Sequence, residues 1–273
     1  MPPPKHVFTV DLEEWFHGIE LPESLWPSES RLHAGLDPLM ELLDRHGVKA
    51  TFFVLGVVAE RFPELVAELA GAGHEIASHG YMHRFIYEQS PKEFREDVRK
   101  ARDIAAETGG TVPKGYRAPY FSIRRDSRWA LEILAEEGFT YDSSIFPVHN
   151  DRYGIPGAPR DPFEIKLDGH ALQEIPITVL RVLGANVPFS GGAYLRILPW
   201  WTQKLAWDAA VRRGTRVVCY VHPWELDPAH PRIKLRRRVA ATHYARLGVT
   251  RRRLDLLLRT YSFGRMDEVV RVT

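Results

Sequence analysis

Cysteine is almost absent from the sequence. Cys219 is the only cysteine among 273 residues, which excludes an intrachain disulfide and leaves no cysteine spacing for a zinc ribbon or an iron–sulfur cluster. The chain begins Met1-Pro2-Pro3-Pro4 and passes directly into a β-rich run, without an apolar stretch that could form a signal peptide or a membrane span. A cytoplasmic location is therefore expected.

Excess charge of either sign is also missing. The formal net charge is only +2, which is too small to indicate a nucleic-acid partner for the whole molecule. One region differs: between Arg232 and Arg259, ten Lys or Arg residues accompany the single acid Asp255. This segment is either a solvated helix face or a peripheral contact with a membrane or with polysaccharide-assembly machinery.

Strands and helices alternate through the first half of the chain, and no internal repeat interrupts them. The predicted strands are residues 6–10, 50–54, 75–78 and a run from Gly115, and the predicted helices are residues 36–46, 58–70, 91–108 and 127–137. This order indicates an α/β fold with a mostly parallel sheet. If the sheet closes into a barrel, the residues at the carboxyl ends of its strands meet at one mouth: Asp11, His79, Arg117, Asp142 and His222.

The second half has a weaker pattern. Residues 146–199 are rich in proline and glycine, and we interpret them as loops and short strands around the barrel mouth. The predicted organisation is a catalytic barrel over residues 1–225 with a basic helical extension, residues 226–273, packed on it.

Two histidines follow the third predicted strand. His79 and His83 are four positions apart, so both imidazoles can reach one ion if the chain turns into a helix there. Asp11 and Glu13 follow the first strand, where side chains two positions apart share a face. One of these carboxylates can complete a metal site while the other remains free as a base.

Taken in order, several motifs resemble those of the polysaccharide deacetylase family, carbohydrate esterase family 4: Phe8-Thr9-Val10-Asp11, His79-x3-His83, Arg117-Ala118-Pro119-Tyr120, Tyr141-Asp142-Ser143-Ser144 and Val221-His222-Pro223. Within that family the chain is similar to the branch found in exopolysaccharide and exosortase gene clusters. The resemblance implies a distorted (β/α) barrel, expected to have seven strands, and a metal-dependent hydrolase that removes N-acetyl groups from an amino-sugar polysaccharide or its lipid-linked precursor.

The first motif departs from the family pattern, because Leu12 stands where most members have a second aspartate that binds the metal. We expect Glu13 to take that place, so that Glu13, His79 and His83 hold the ion and Asp11 is the base. If Glu13 points away, Asp11 is the alternative ligand, or the protein is inactive.

The resemblance also implies roles for other residues. His222 is the expected acid, with Asp142 as its partner and Asp151 or Glu174 as alternatives, while Arg117 orients Asp11. The expected substrate contacts are Tyr120, whose backbone N–H stabilises the oxyanion, and the rings of Trp15 and Trp224. Zinc is the expected metal, with cobalt or nickel as alternatives.

Two rival functions stay open on the same residues. The acid-x-acid arrangement of Asp11 and Glu13 also occurs in allantoinase-like relatives, which hydrolyse cyclic amides. Leu12 supports the other rival, a carbohydrate-binding protein that has lost turnover.

Overall fold

The computed structural model of the chain describes residues 5–150, 152–167 and 169–270. Its strands are β1 His6–Leu12, β2 Thr51–Val54, β3 Glu75–Ser78, β4 Gly115–Tyr116, β5 Tyr141–Asp142, β6 Phe163–Leu167, β7 His170–Glu174, β8 Val179–Val182, β9 Ala185–Pro188, β10 Val218–Val221 and β11 Phe263–Gly264. Its α-helices are α1 Leu32–Arg45, α2 Gly56–Arg61, α3 Pro63–Gly71, α4 Pro91–Gly109, α5 Trp129–Glu136, α6 Gly192–Ile197, α7 Trp200–Arg212, α8 Arg237–His243, α9 Thr250–Thr260 and α10 Met266–Val269. None of the helices in these ranges has the length and apolarity needed to cross a membrane.

Seven parallel strands form the main ladder, in the order β10-β1-β2-β3-β4-β5-β7. β6 adds an antiparallel strand to β7, so residues 163–174 form a hairpin that extends the sheet. The predicted parallel barrel with helices around it is confirmed. The pairing also fixes the relative height of the strand ends, because Val10 lies opposite Val221 and Val54 lies opposite Ser78.

The barrel is distorted where its two ends meet. In the described ranges the strand order begins at β10 and ends at the β7–β6 hairpin. The chain after β7 lies beside β10 instead: the Val218 N–H donates to the Thr178 hydroxyl at 2.9 Å, and Gly191 forms a bridge with Tyr220. The chain around Thr178 and Gly191 therefore lies at the side of β10 where a regular barrel would have another strand.

The helix predicted over residues 58–70, with an early interruption at Pro63, forms two helices, α2 and α3. Pro63 has no backbone N–H to donate within a helix, and Phe62 before it has a non-helical backbone (φ −132°, ψ 59°). Pro63 therefore begins α3 at a position where the missing donor carries no cost.

The segment after Glu225 is built into the barrel. Leu254 and Leu257 of α9 are fully buried in the same core cluster as Leu36 and Leu39 of α1. β11 pairs in parallel with the start of β1. The predicted boundary at residue 225 stays a prediction, and its last residues, 271–273, lie outside the described ranges, as do residues 1–4.

Candidate metal centre and catalytic site

The strand ends open into one cavity of about 420 Å³. Asp11, Glu13, His79, His83 and His222 all line it. They come from β1, β3 and β10 and from the residues that directly follow these strands. The parallel register places these ends at one edge, so residues far apart in the sequence meet around one space.

Glu13, His79 and His83 form a compact group of possible metal ligands. One donor atom from each residue lies within 4.8 Å of the other two, and all three side chains are buried. Asp11 does not belong to this group, although it lines the same cavity. The arrangement has the composition of a three-ligand site, two imidazoles and one carboxylate, that leaves a position for water.

The two histidines reach this point from a loop, and the helix that would also have placed both rings on one face does not form. Gly80 has φ +76° and His83 has φ +54°, both in the left-handed region. The Asp97 carboxylate of α4 accepts hydrogen bonds from the backbone N–H groups of Tyr81 (2.7 Å) and Met82 (3.3 Å). These bonds fix the turn that brings His83 back beside His79.

The ring of His79 is held in one orientation. Its Nδ1 lies 2.8 Å from the carbonyl oxygen of Arg117. A carbonyl can only accept, so Nδ1 carries the hydrogen and the lone pair on Nε2 stays free. Burial lowers the pKa of His79 to about 4, which keeps the imidazole neutral and able to bind a cation.

Glu13 is held from two sides. Its Oε1 accepts from the indole N–H of Trp224 at 3.0 Å, and its Oε2 lies 2.5 Å from Nε2 of His83. Burial favours a raised pKa, but the neighbouring His83, His222 and His79 outweigh it and hold the pKa of Glu13 below its usual range. A buried carboxylate that stays ionised beside two imidazoles fits a divalent cation.

The leucine at position 12 does not remove a ligand from the group of Glu13, His79 and His83. Its side chain is fully buried in the hydrophobic core. The next residue, Glu13, reaches the histidines in its place. The missing second aspartate therefore does not leave the group one ligand short.

Asp11 is fixed by Arg117, as the sequence predicted. The Arg117 guanidinium donates to Asp11 Oδ1 at 2.6 Å and to the Thr9 hydroxyl at 2.8 Å. Its second Nη donates to the Ser143 hydroxyl at 3.1 Å. Both charged groups are buried, so the orientation of the carboxylate is tightly set.

His222 has a partner that the sequence did not reveal. Its Nδ1 lies 3.0 Å from Oε1 of Glu225, while its Nε2 faces Asp11 at 3.7 Å and Glu13 at 3.8 Å. Burial alone lowers the pKa of His222, but the hydrogen bond to Glu225 and the charges of Glu13, Glu225 and Asp11 raise it to about 9. Glu225 itself is fully buried, 3.7 Å from the guanidinium of Arg196.

The prediction that Asp142 pairs with His222 is wrong. Asp142 is fully buried and accepts from the hydroxyl of Ser144 at 2.6 Å. That hydroxyl in turn accepts from the Ala118 N–H, so Asp142 supports the loop that follows Arg117. Glu174, the alternative partner, is beside Asp142 in the strand pairing and accepts from the Ile145 N–H. Asp151 lies outside the described residues.

Two family models match the chain. The model described as Polysaccharide deacetylase matches residues 32–141, which include His79, His83 and Arg117. A second, described as a domain of unknown function (DUF3473), matches residues 143–271 and includes His222 and Glu225. Residues 32–141 thus match a polysaccharide deacetylase domain. Its assignment to the branch found in exopolysaccharide gene clusters stays a prediction.

Curated relatives of this domain are deacetylases. A peptidoglycan-N-acetylglucosamine deacetylase of Bacillus cereus is 38% identical over 95 residues, which is 34% of this chain and 34% of the relative. A peptidoglycan deacetylase of Helicobacter pylori is 32% identical over 117 residues, which is 43% of this chain and 38% of the relative. The chain thus spans little more than a third of the length of these relatives.

Solved structures share the fold over nearly the whole chain. A Mycobacterium smegmatis protein assigned to the polysaccharide deacetylases has a TM-score of 0.64 at 21% identity and covers 100% of this chain and 92% of its own. The Puue allantoinase has a TM-score of 0.61 at 19% identity, with 98% and 89% covered. At these identities the likeness concerns the barrel fold.

Two of the three predicted substrate contacts line the cavity. Tyr120 and Trp224 line it, but Trp15 does not, so the prediction for Trp15 is wrong. The Trp15 indole lies in a buried cluster, stacked on His230 at 5.7 Å and packed edge-on against Phe16. Its apolar ring is needed there to fill the space beneath the segment after β10.

Tyr120 has an unusual backbone. Its φ of +56° lies in the left-handed region, and its hydroxyl donates to the carbonyl oxygen of His17. Its ring stacks on Phe85 at 4.3 Å. In the described residues its backbone N–H has no acceptor, so it is available to a ligand.

Proposed function

We propose that the chain hydrolyses the N-acetyl group of an amino sugar in a polysaccharide or its lipid-linked precursor. The observation that carries the proposal is the convergence of the Glu13, His79 and His83 group with Asp11 and His222 on one cavity. Curated relatives with this domain are deacetylases of amino-sugar polymers.

Zinc is the metal we propose for Glu13, His79 and His83, with cobalt or nickel as alternatives. When bound, such a cation supplies a Lewis acid that polarises the acetyl carbonyl and lowers the pKa of water, from about 15.7 to roughly 7 in well-studied zinc sites. The Trp224 N–H donates to Glu13, and His79 Nδ1 donates to the carbonyl oxygen of Arg117. These two hydrogen bonds hold Glu13 and His79 in position without an ion.

Asp11 is the proposed base. Its Oδ1 is taken by Arg117, so its Oδ2 is the oxygen that faces the cavity side and His222. It accepts a proton from the water that attacks the acetyl carbonyl, and Arg117 keeps the carboxylate ionised and oriented. The free backbone N–H of Tyr120 donates to the oxygen that becomes negatively charged.

His222 is the proposed acid. Glu225 accepts from its Nδ1 and favours the protonated ring, whose Nε2 faces the cavity. It donates a proton to the amide nitrogen as the C–N bond breaks, which yields acetate and the free amino sugar. Glu225 is a positioning residue for this step, because it acts through its hydrogen bond to Nδ1 of His222.

The test is incubation of the zinc-loaded protein with N-acetylglucosamine oligomers, with release of acetate as the readout. We expect acetate release by the wild type and at least a hundredfold slower release by Asp11→Asn. Allantoin is the comparison substrate, because the acid-x-acid arrangement of Asp11 and Glu13 keeps a cyclic amide as the second candidate. Ring opening of allantoin without acetate release from the oligomers would replace the deacetylase proposal with an amidohydrolase one.

Two expectations from the sequence stay predictions: the cytoplasmic location and the contact of the basic segment with a membrane or assembly machinery. Truncation is unsuitable for testing the contact, because Leu254 and Leu257 belong to the barrel core. Charge reversal at the exposed Arg251 and Arg252, followed by liposome co-sedimentation, tests it without removing core residues.

A further inference from the structure

The cavity continues beyond the reacting groups into a region that we call the apolar arm. Its residues are Tyr194, Ile197 and Leu198 from α6 and its end, and Val239 from α8. All four lie in the part of the chain matched by the domain of unknown function. The arm therefore adds a wall to the catalytic cavity that the polysaccharide deacetylase match does not contain.

The two helices of the apolar arm are fixed in place by buried arginines. Arg196 of α6 donates to the carbonyl oxygens of Thr242 (3.0 Å) and His243 (3.3 Å) at the end of α8. Arg253 of α9 donates to the carbonyl oxygen of Leu198 at 2.6 Å. The arm is thus formed before a ligand binds, which lowers the entropic cost of binding.

A pair of glycines brings α6 to this position. A Cβ on Gly191 would lie 2.2 Å from the backbone oxygen of Tyr220, and Gly192 has φ +54°. Only glycine allows α6 to begin so close to β10. The two glycines therefore allow α6 to lie in close contact with β10, the strand that directly precedes His222.

The composition of the apolar arm suits an aliphatic chain better than a sugar ring. Only Tyr194 has a polar side-chain atom, and its hydroxyl lies 3.4 Å from that of Tyr153. The nearby Thr242 hydroxyl donates within α8, to the carbonyl oxygens of Arg238 and Val239. Sugar hydroxyls placed here would lose hydrogen bonds to water without replacement, whereas methylene groups gain from leaving water.

Positive charge and exposed apolar side chains are found next to the arm residues in the chain. Arg236, Arg237 and Arg238 directly precede Val239 and are exposed, and no acidic side chain of the described ranges lies within 4.0 Å of them. Ile197 at the end of α6 is 40% exposed, and Trp201 in the first turn of α7 is 66% exposed. An aliphatic chain that carries an anionic group at its head complements both features.

We propose that the apolar arm binds the aliphatic chain of an anionic lipid-linked saccharide, in which a phosphate joins the acetamido sugar to a long-chain alcohol. Arg236, Arg237 and Arg238 face the phosphate, and the sugar reaches Asp11 and the ligand group. The inference deepens the proposed function and rests on it for the sugar end.

The first test measures binding without catalysis. Dodecyl phosphate, below its critical micelle concentration, is titrated into the intact protein by calorimetry. Butyl phosphate is the probe that lacks the long alkyl chain, and dodecyl maltoside is the probe that lacks the anionic group. We expect dodecyl phosphate to bind at least tenfold more tightly than either. Val239→Asp should weaken it at least tenfold, and the double variant Arg237→Gln with Arg238→Gln at least threefold.

Matched controls come from the same chain. Val112→Asp changes a valine that is 62% exposed and does not line the cavity, and Arg216→Gln changes an exposed arginine outside the basic segment. Neither should alter binding, and circular dichroism should show that all variants are folded. Equal affinity for the three probes, or equal losses in Val112→Asp and Val239→Asp, would overturn the inference.

The second test separates this inference from the proposed function. The zinc-loaded protein is assayed on the methyl and the dodecyl-phosphate glycosides of N-acetylglucosamine. We expect the dodecyl-phosphate compound to have a kcat/KM at least tenfold higher, and Val239→Asp to remove the advantage. Dodecyl phosphate binding without acetate release from either compound would contradict the deacetylase function alone. Acetate release without a chain-length advantage would contradict the apolar arm alone.

Discussion

Two fully buried arginines serve the catalytic cavity in different ways. Arg117, from the polysaccharide deacetylase part, makes a charged contact of 2.6 Å with Asp11. Arg196 belongs to residues 143–271, which match the domain of unknown function. Its guanidinium lies 3.7 Å from Glu225 and donates mainly to backbone carbonyl oxygens at the end of α8. The first arginine acts on a group proposed to react, and the second joins two walls of the cavity.

The comparison indicates a division of labour within one barrel. Residues up to 141 supply the ligand group and the base through contacts at strand ends, while residues 143–271 supply His222, its partner Glu225 and the apolar arm. Substitutions in the first part should therefore affect chemistry most, and substitutions in the second should affect stability, protonation and substrate choice.

The largest effect is expected for Arg117→Met. It leaves Asp11 buried without its cationic partner, which should cost about 3 to 5 kcal/mol of the free energy of unfolding. Turnover should fall at least about a hundredfold, because the base loses its orientation. Urea unfolding and acetate release measure the two losses. The control is Arg251→Met, which breaks an exposed pair with Glu41 and should cost no more than about 1 kcal/mol.

Arg196→Met should have a smaller effect of a different kind. Carbonyl groups at the end of α8 lose their donor, which should cost about 1 to 3 kcal/mol of stability. Zinc affinity should be unchanged, because Arg196 does not contact the ligand group. A variant of normal stability that no longer binds zinc would contradict the division of labour.

Glu225→Gln should change the pH dependence of turnover. His222 acts as an acid only while it is protonated, so activity falls as pH rises through its pKa. Loss of the Glu225 charge lowers that pKa by about one unit, equivalent to about 1.4 kcal/mol, and moves the alkaline limb of the kcat/KM profile to lower pH. Glu41→Gln, at an exposed site, is the control. An unmoved or raised alkaline limb would contradict the role of Glu225.

The pair of His222 and Glu225 should also make the free energy of unfolding depend on pH. The pKa of His222 in the folded chain, about 9, is above its unfolded value of about 6.5. Its stabilising contribution is therefore complete below pH 6.5 and is lost as pH rises through 9. Urea unfolding of the metal-free protein at pH 6 and pH 10 measures it, and Glu225→Gln should show the smaller difference.

The smallest effect is expected for Trp224→Phe. The variant keeps an aromatic ring beside His222 but loses the N–H that holds Glu13, so zinc affinity should fall about tenfold. Trp15→Phe is the matched control, since Trp15 is buried away from the ligand group. Equal zinc affinity in the two variants would mean that Trp224 does not hold Glu13 in place.

The order of strands and the residues at their ends were predictable, because hydrophobic periodicity and turn residues are local signals. The sequence predicted one mouth for Asp11, His79, Arg117, Asp142 and His222, and of these Asp11, His79 and His222 line the cavity. The loop conformation of residues 79–83 was not predictable, because it depends on Asp97 of a later helix.

The partner of His222 illustrates the same limit. The family resemblance implied Asp142 as the partner, but Asp142 accepts a hydrogen bond from the Ser144 hydroxyl, which in turn accepts from the Ala118 N–H. The closer signal was the His-x2-Glu spacing of His222 and Glu225 across Pro223, which begins a short helical turn after β10. Trp15 and Trp224 likewise look alike in sequence, and only packing separates a core ring from one that lines the cavity.

The central claim is that Glu13, His79 and His83 hold one divalent cation while Asp11 does not. Zinc titration by calorimetry of the wild type, Glu13→Ala, His79→Ala and Asp11→Ala tests it directly. We expect one zinc per chain for the wild type and for Asp11→Ala, and loss of that binding in Glu13→Ala and His79→Ala. Retention of zinc by Glu13→Ala together with its loss in Asp11→Ala would contradict it.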